Sequence, residues 1–177
     1  MENSELERIK KFIEFMPKEF EKIVINLQEL NFFKAPASLM YHGATEGGLF
    51  DHSLAVAESL IEMTEKLKLE WERPESPYIV GMFHDICKCD NYKFDIETDR
   101  YIFNSDIIIS GHGDKSVIMA SKYIDLTDEE IACIRWHMGA FEKDTKMWEY
   151  YGNAIKQYPN VLYTHTADMI ASRIIGI

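Results

Sequence analysis

Four histidines and two aspartates in this chain have the types and the order from which a protein can assemble a pair of metal ions bridged by a carboxylate. These residues are His52, His84, Asp85, His112, His137 and Asp168. Imidazole and carboxylate ligands without thiolate favour manganese, iron, cobalt, magnesium or nickel over a structural zinc site. Two such ions, about 3.5 to 4 Å apart, can activate a water molecule and neutralise an attacked phosphate. The sequence therefore predicts a centre for divalent metal ions, with two ions expected and their identity open.

The adjacent pair His84 and Asp85 is the middle of this predicted centre. Neighbouring helical positions lie about 100° apart, so both side chains can reach one ion at the edge of a helix. Asp85 has two carboxylate oxygens, and we expect it to bridge to a second ion held by His112 and His137. For a single histidine an ordinary hydrogen-bonded role is the usual outcome, whereas the ordered set of six favours a metal centre.

Helices must position most of these residues, because apolar residues recur at spacings of three and four along much of the chain. His52 and Asp168 lie on apolar stripes of predicted helices, where a polar side chain needs a strong partner. Thr127 and Glu130 have the spacing of a capping box, which marks the start of another helix. The predicted helices cover residues 6–16, 18–30, 49–67, 78–87, 113–124, 131–138 and 159–175.

Aromatic strips at residues 92–94 and 101–103 flank a polar connection and predict a β-hairpin. Glycines and Pro36 predict a loop between residues 33 and 48, before the long helix that carries His52. The fold class that we predict is all-α, a helical bundle with a small β-hairpin insertion around residues 92–103.

Composition and net charge indicate the number of domains, the kind of partner and the location of the protein. The 177 residues are 46% hydrophobic and show no shift in composition, which predicts one domain with one core. A formal net charge of -11 disfavours an extended nucleic-acid partner, since phosphate contacts need an excess of Lys and Arg. Residues 1–15 lack the pattern of a secretion signal, and no apolar stretch has the length of a membrane span. The three cysteines lack CxxC spacing, which suits free thiols in a reducing compartment. We expect a cytoplasmic protein that does not enter a membrane.

The local sequences around the predicted ligands resemble the HD-domain superfamily of metal-dependent phosphohydrolases. Gly-Gly-Leu-Phe-Asp-His-Ser-Leu at 47–54 resembles the first motif of the family, and Phe-His-Asp-Ile-Cys-Lys at 83–88 resembles the second. Ala-Asp-Met-Ile-Ala-Ser-Arg at 167–173 resembles the last. Cys87 is a departure, because glycine is most common at that position of the second motif.

Two further stretches, 111–116 and 134–139, resemble those of HD subfamilies that carry two intermediate histidines and build a dinuclear centre. The resemblance therefore implies that all six residues are metal ligands. It also implies a single HD domain over residues 1–177, with N-terminal helices and a loop at 1–46 and a metal-binding helical core at 47–175.

Side chains near the ligands are predicted to assist the chemistry. Lys88 lies three residues after Asp85 on the same helical face, where its ammonium could stabilise charge on a transferred phosphoryl group. We predict Asp85 and Lys88 as catalytic residues and Lys88, Lys115 and His42 as substrate-binding residues. His165, one turn before Asp168, is a weaker prediction for a residue that orients this ligand.

The function that these residues indicate is hydrolysis of a phosphate ester, in a nucleotide or another small phosphorylated metabolite, by a metal-activated water. One alternative is a di-iron oxygenase of the HD type, since relatives resembling inositol oxygenase use the same ligands. Another alternative is a non-catalytic module that binds metal ions or a nucleotide. The acidic charge disfavours an exonuclease, and the sequence leaves the oligomeric state open.

Overall fold

The structure is a computed structural model that describes residues 2–40, 43–139 and 145–177, and helices make up most of it. The α-helices are α1 (Glu2–Phe15), α2 (Val24–Glu29), α3 (Gly48–Leu67), α4 (Ser76–Phe83), α5 (Lys88–Asn91), α6 (His112–Ala120), α7 (Asp128–Trp136), α8 (Thr145–Gln157) and α9 (Asn160–Met169). A 3-10 helix, Lys18–Ile23, precedes α2, and a π-helix, Ile170–Ile175, follows α9. Strands β1 (Tyr92–Asp95) and β2 (Arg100–Phe103) pair antiparallel. The predicted all-α fold with one hairpin is confirmed.

The N-terminal helices close an aromatic core rather than carry predicted ligands. The rings of Phe12, Phe33, Phe50 and Phe83 are at most 1% exposed and lie within this core. The single helix predicted over 18–30 is instead a 3-10 helix followed by α2. Residues three apart eclipse one another in a 3-10 helix, so Phe20 and Ile23 are both buried.

Two close helix crossings bring the ends of the ligand-bearing helices together. A Cβ at Gly81 of α4 would lie 2.3 Å from Cα of Ala57 in α3, so only glycine allows these helices to pack as they do. A Cβ at Gly113 of α6 would lie 2.1 Å from the carbonyl oxygen of Arg135 in α7. Helix α3 also packs on α9, and these contacts place α3, α4, α6, α7 and α9 around one point.

Helix α4 ends earlier than predicted. The sequence predicts a helix over 78–87, but α4 ends at Phe83 and His84 is its C-cap. Hydrogen bonds from Ile86 N to Phe83 O at 3.2 Å and from Lys88 N to Asp85 O at 3.0 Å show tight turns after it. Asp85 therefore lies in a turn, which gives its carboxylate access to more than one helix.

Other local predictions are confirmed. The hairpin pairs Tyr92 with Phe103 and Asp95 with Arg100. Thr127 and Glu130 form the capping box at the start of α7. Among the described residues, no helix combines the length and the apolarity needed to cross a membrane.

Candidate metal centre

All six predicted ligands meet at one point, and they come from five helices. His52 lies in the second turn of α3, His84 at the end of α4, Asp85 in the turn that follows, His112 at the start of α6, His137 at the end of α7 and Asp168 in the last turn of α9. All except His112 are buried, and the side chain of His112 is 32% exposed.

One group of three potential ligands consists of His52, His84 and Asp85. The Nε2 atoms of the two histidines are 3.3 Å apart. Oδ2 of Asp85 lies 3.6 Å from Nε2 of His52 and 3.5 Å from Nε2 of His84. Asp168 extends this group, because its Oδ1 lies 3.2 Å from Nε2 of His52. These atoms are close enough to coordinate one ion.

A second group consists of Asp85, His112 and His137. Oδ1 of Asp85 lies 2.6 Å from Nε2 of His112 and 3.4 Å from Nε2 of His137. The two oxygens of Asp85 thus face different pairs of histidines, with Oδ2 towards α3 and α4 and Oδ1 towards α6 and α7. This is the arrangement that a carboxylate bridge between two ions requires.

Backbone carbonyl groups orient three of the four imidazole rings. Nδ1 of His52 lies 2.9 Å from the carbonyl oxygen of Ile177. Nδ1 of His84 lies 2.8 Å from Gly81 O, and Nδ1 of His137 lies 2.7 Å from Ile134 O. A carbonyl oxygen can only accept, so each Nδ1 carries a hydrogen, which leaves Nε2 as the ring atom that can bind a metal ion once it has lost its proton. This is the tautomer that binds a metal through Nε2.

Two buried polar atoms of the centre lack a hydrogen bond. Oδ1 of Asp85 and Nε2 of His137 are buried and make no hydrogen bond, although other electron-rich atoms lie within 4 Å. Burying such atoms without a partner costs free energy, and buried charges in proteins are paired or coordinate metals. Imidazole nitrogens and carboxylate oxygens that converge in this way fit divalent cations.

The electrostatics favour ionised carboxylates. Burial opposes ionisation of Asp85, but the positive charges of Lys88, His84 and His112 outweigh burial and hold its pKa well below the usual value. Burial acts likewise on Asp168, where the polar contact with His52 and the charge of His84 lower the pKa to about 2. Both residues therefore carry a negative charge at neutral pH, as metal ligands must.

The centre opens into a cavity of about 370 Å³. Lys88 lines this cavity, and its Nζ lies 2.5 Å from Oδ2 of Asp85. The lysine side chain is only 12% exposed, so it is held at the centre rather than extended into solvent. Its ammonium can therefore meet an anion that approaches the ligands through the cavity.

The other predicted assisting residues have different surroundings. Lys115 is 3% exposed and does not line the cavity, because its Nζ binds Asp90 Oδ2 at 2.6 Å and Asn91 Oδ1 at 2.7 Å. Its role in substrate binding stays a prediction. His42 lies outside the described residues. His165 lines the cavity, but its Nδ1 contacts the carbonyl oxygen of His137 at 2.6 Å and not Asp168.

The cavity also contains two side chains that the sequence analysis does not predict as site residues. Arg173 lines it as a second cation beside Lys88, and Tyr92 of β1 forms part of its wall. Arg173 ends the last motif of the resemblance, which was the available signal. Nothing in the sequence indicates that the hairpin brings Tyr92 to this wall, because that placement depends on how β1 follows α5.

Comparison with known proteins agrees with the geometry. A protein-family model described as HD domain matches residues 49–171, a range that contains all six residues of the centre. Comparisons with curated proteins and with solved structures found no match. HD domains bind divalent metals, and most members of the family are metal-dependent hydrolases. The match covers more than half of the chain, and the protein therefore belongs to the HD-domain family.

Proposed function

We propose that this protein is a phosphohydrolase that acts on a phosphate ester of a nucleotide or of another small phosphorylated metabolite. The observation that carries the proposal is the position of Asp85, whose two oxygens face different histidine pairs while Lys88 lies 2.5 Å from one of them. Two ligand groups and a cation thus surround one carboxylate at the end of a cavity. A phosphate group in this place would meet positive charge from the protein and from its metal ions.

In this proposal the six ligands hold two divalent ions, which supply Lewis acidity to the phosphate and to the attacking water. The water oxygen forms a new bond to phosphorus, the ester P–O bond breaks, and the products are inorganic phosphate and an alcohol. Lys88 stabilises the negative charge that develops on the phosphoryl oxygens, because its ammonium lies at the centre. Asp85 and Lys88 are accordingly the residues that we assign to catalysis.

The cavity favours a small substrate. A volume of about 370 Å³ suits a metabolite rather than a polymer, and its wall combines cations with the apolar side chains of Met138 and Met169. Lys88 and Arg173 balance the carboxylates of Asp85 and Asp168 in this cavity, so bound divalent ions would make it locally positive in a chain whose formal net charge is -11. This contrast supports a phosphorylated ligand that binds at one site and disfavours extended nucleic acid.

The test is release of inorganic phosphate from a panel of nucleotides and sugar phosphates with Mn²⁺, in air and without oxygen. We expect equal rates under both conditions. Lys88→Met should lower kcat by about 10²- to 10³-fold, the usual effect of removing one positioned donor, while the bound metal stays constant. Lys122→Met, a change at an exposed lysine, is the matched control and should leave kcat unchanged.

Two outcomes would contradict the proposal. Turnover that consumes oxygen and stops without it would assign the centre to oxygenase chemistry. Tight nucleotide binding without product for any tested metal would assign it to a non-catalytic binding module.

A further inference from the structure

The four histidines of the centre differ in what holds their Nδ1 atoms. His84 and His137 end their helices, and each ring lies 2.7 to 2.8 Å from a carbonyl oxygen three residues earlier in its own helix. Carbonyl groups in the last turn of a helix lack intrahelical partners, so they are available as acceptors. His112 instead begins α6, with Gly111 as N-cap, and no turn of its own helix precedes it. Its Nδ1 needs an acceptor from another part of the chain.

Cys87 lies where this acceptor is needed. Its Sγ lies 3.2 Å from Nδ1 of His112, and the cysteine is 0% exposed. The backbone N–H of Cys87 also donates to Oγ of Ser116 at 3.3 Å, which ties the turn after α4 to α6. The same turn thus supplies Asp85 to the centre and a sulfur atom behind His112.

The sulfur acts as an acceptor. Asn91 Nδ2 donates to Sγ of Cys87 at 3.6 Å. The amide of Asn91 must have this orientation, because Lys115 Nζ can only donate and lies 2.7 Å from Oδ1 of Asn91. The Asn91 N–H thus donates to the buried sulfur, and Nδ1 of His112 lies 3.2 Å from the same atom. The buried Lys115 holds this arrangement through Asn91.

We infer that Cys87 is a positioning residue for the second metal ion: its sulfur accepts the Nδ1 hydrogen of His112 and thereby leaves Nε2 of His112 as the atom that binds this ion beside Oδ1 of Asp85. The inference rests on the metal centre of the proposed function and not on the reaction. It gives a physical role to a residue that departs from the commonest form of the motif, since glycine at this position would offer no side-chain acceptor. A partner of this kind behind a ligating histidine typically changes metal affinity by about 10- to 100-fold.

A packing role is the competing explanation, because Cys87 also contacts the aromatic core. Substitutions separate the two roles. Cys87→Ala keeps a small apolar side chain but removes the acceptor. Cys87→Ser keeps an acceptor on Cβ at the cost of polarity in the core. Cys133→Ala removes another fully buried cysteine, in the second core cluster, and is the matched control.

The experiment is equilibrium binding of Mn²⁺ to each purified protein, with elemental analysis for the number of ions per chain. We expect two ions in the unchanged protein. Cys87→Ala should weaken one of the two by about 10- to 100-fold and leave the other unchanged, whereas Cys87→Ser should retain most of the lost affinity. Cys133→Ala should bind both ions normally. Circular dichroism checks that each variant is folded.

Several results would overturn the inference. Normal binding of both ions by Cys87→Ala would show that the sulfur has no effect on the second ion. Equal weakening in Cys87→Ala and Cys87→Ser, or an equal loss in Cys133→Ala, would assign the effect to packing. An unchanged protein that binds no second ion would refute the dinuclear centre together with this inference. Two bound ions without phosphate release would refute the proposed function and leave the inference standing.

Discussion

Two polar clusters in the described part of the chain differ in how many of their polar atoms have hydrogen-bond partners. One is a glutamate network, formed by Glu129, Glu130, Arg73, Ser76 and Asn160. Glu130 accepts hydrogen bonds from Arg73 Nε and from Ser76 Oγ, each at 2.8 Å. Its other oxygen accepts from Arg73 Nη2 at 2.7 Å, and Glu129 accepts from Asn160 Nδ2 at 2.9 Å. Each of these glutamate side chains has donors from the protein itself.

At the metal centre, by contrast, two buried polar atoms have no hydrogen bond. Four Nε2 atoms lie within 3.6 Å of the Asp85 carboxylate, yet Oδ1 of Asp85 and Nε2 of His137 make no hydrogen bond. A buried cluster whose polar atoms are all hydrogen-bonded stabilises the fold, whereas a cluster of metal-ligand atoms that leaves two of them without a hydrogen bond favours an added cation. We therefore expect changes in the glutamate network to lower the stability of the fold and changes at the metal centre to lower metal binding. Substitutions in each cluster have different expected effects.

The largest expected effect follows from Asp85→Asn. This change removes the negative charge that both ligand groups share, so we expect loss of bound metal and of phosphate release. Lewis-acid catalysis contributes several kcal/mol, and the rate should fall by about 10³-fold or more. The measurements are elemental analysis and phosphate release. Asp106→Asn, at an exposed aspartate after the hairpin, should change neither, and full activity in Asp85→Asn would refute the assignment.

The next effect concerns stability. Glu130→Ala leaves Arg73 without its carboxylate partner and removes the Glu130 side-chain half of the capping box of α7, so the free energy of unfolding should fall by about 3 kcal/mol. The folded fraction should bind the usual number of ions, because Glu130 does not belong to the centre. Chemical denaturation measures the change, with Glu65→Ala at an exposed position of α3 as control. A loss of metal without a loss of stability would contradict the comparison.

The smallest effect is a pH dependence within the glutamate network. Burial raises the pKa of Glu129, although its hydrogen bonds oppose this. The folded protein therefore holds this proton more tightly than the unfolded chain. The stability that this proton contributes is fully present at a pH below the pKa of Glu129 in the unfolded chain. It is lost as the pH rises through the pKa of Glu129 in the folded protein.

Glutamine does not titrate, so Glu129→Gln tests this contribution. We expect the Tm of the unchanged protein, relative to that of Glu129→Gln, to fall as the pH rises above the ordinary glutamate pKa of 4.5. Thermal unfolding of both proteins in matched buffers measures this difference. A difference that is constant or rises with pH would contradict the assignment.

The sequence indicates which residues come together at the candidate centre because their signals are local and chemical. The prediction from the types and the order of the six residues does not depend on where the helices end. The capping box at Thr127 and Glu130 is likewise predicted from a pattern of only four residues. The hairpin is readable for a similar reason, since aromatic strips flank a polar turn at residues 92–103.

Contacts between distant segments could not be predicted. The His84 ring contacts Gly81 O where α4 ends, and the sequence contains no signal for this contact. The position of Lys115 depends on Asn91, which lies 24 residues away and on another helix. The partner of His112 is likewise a cysteine 25 residues away. In each case a side chain from one segment decides the local structure of another.

The count of metal ions in the unchanged protein tests the central claim most directly. Protein purified without chelator and analysed for its elements should contain two divalent ions per folded chain, as expected if Asp85 bridges two groups of ligands. One ion per chain would contradict the bridge. A folded protein with no divalent ion, and without uptake of Mn²⁺ on addition, would contradict the metal centre as a whole.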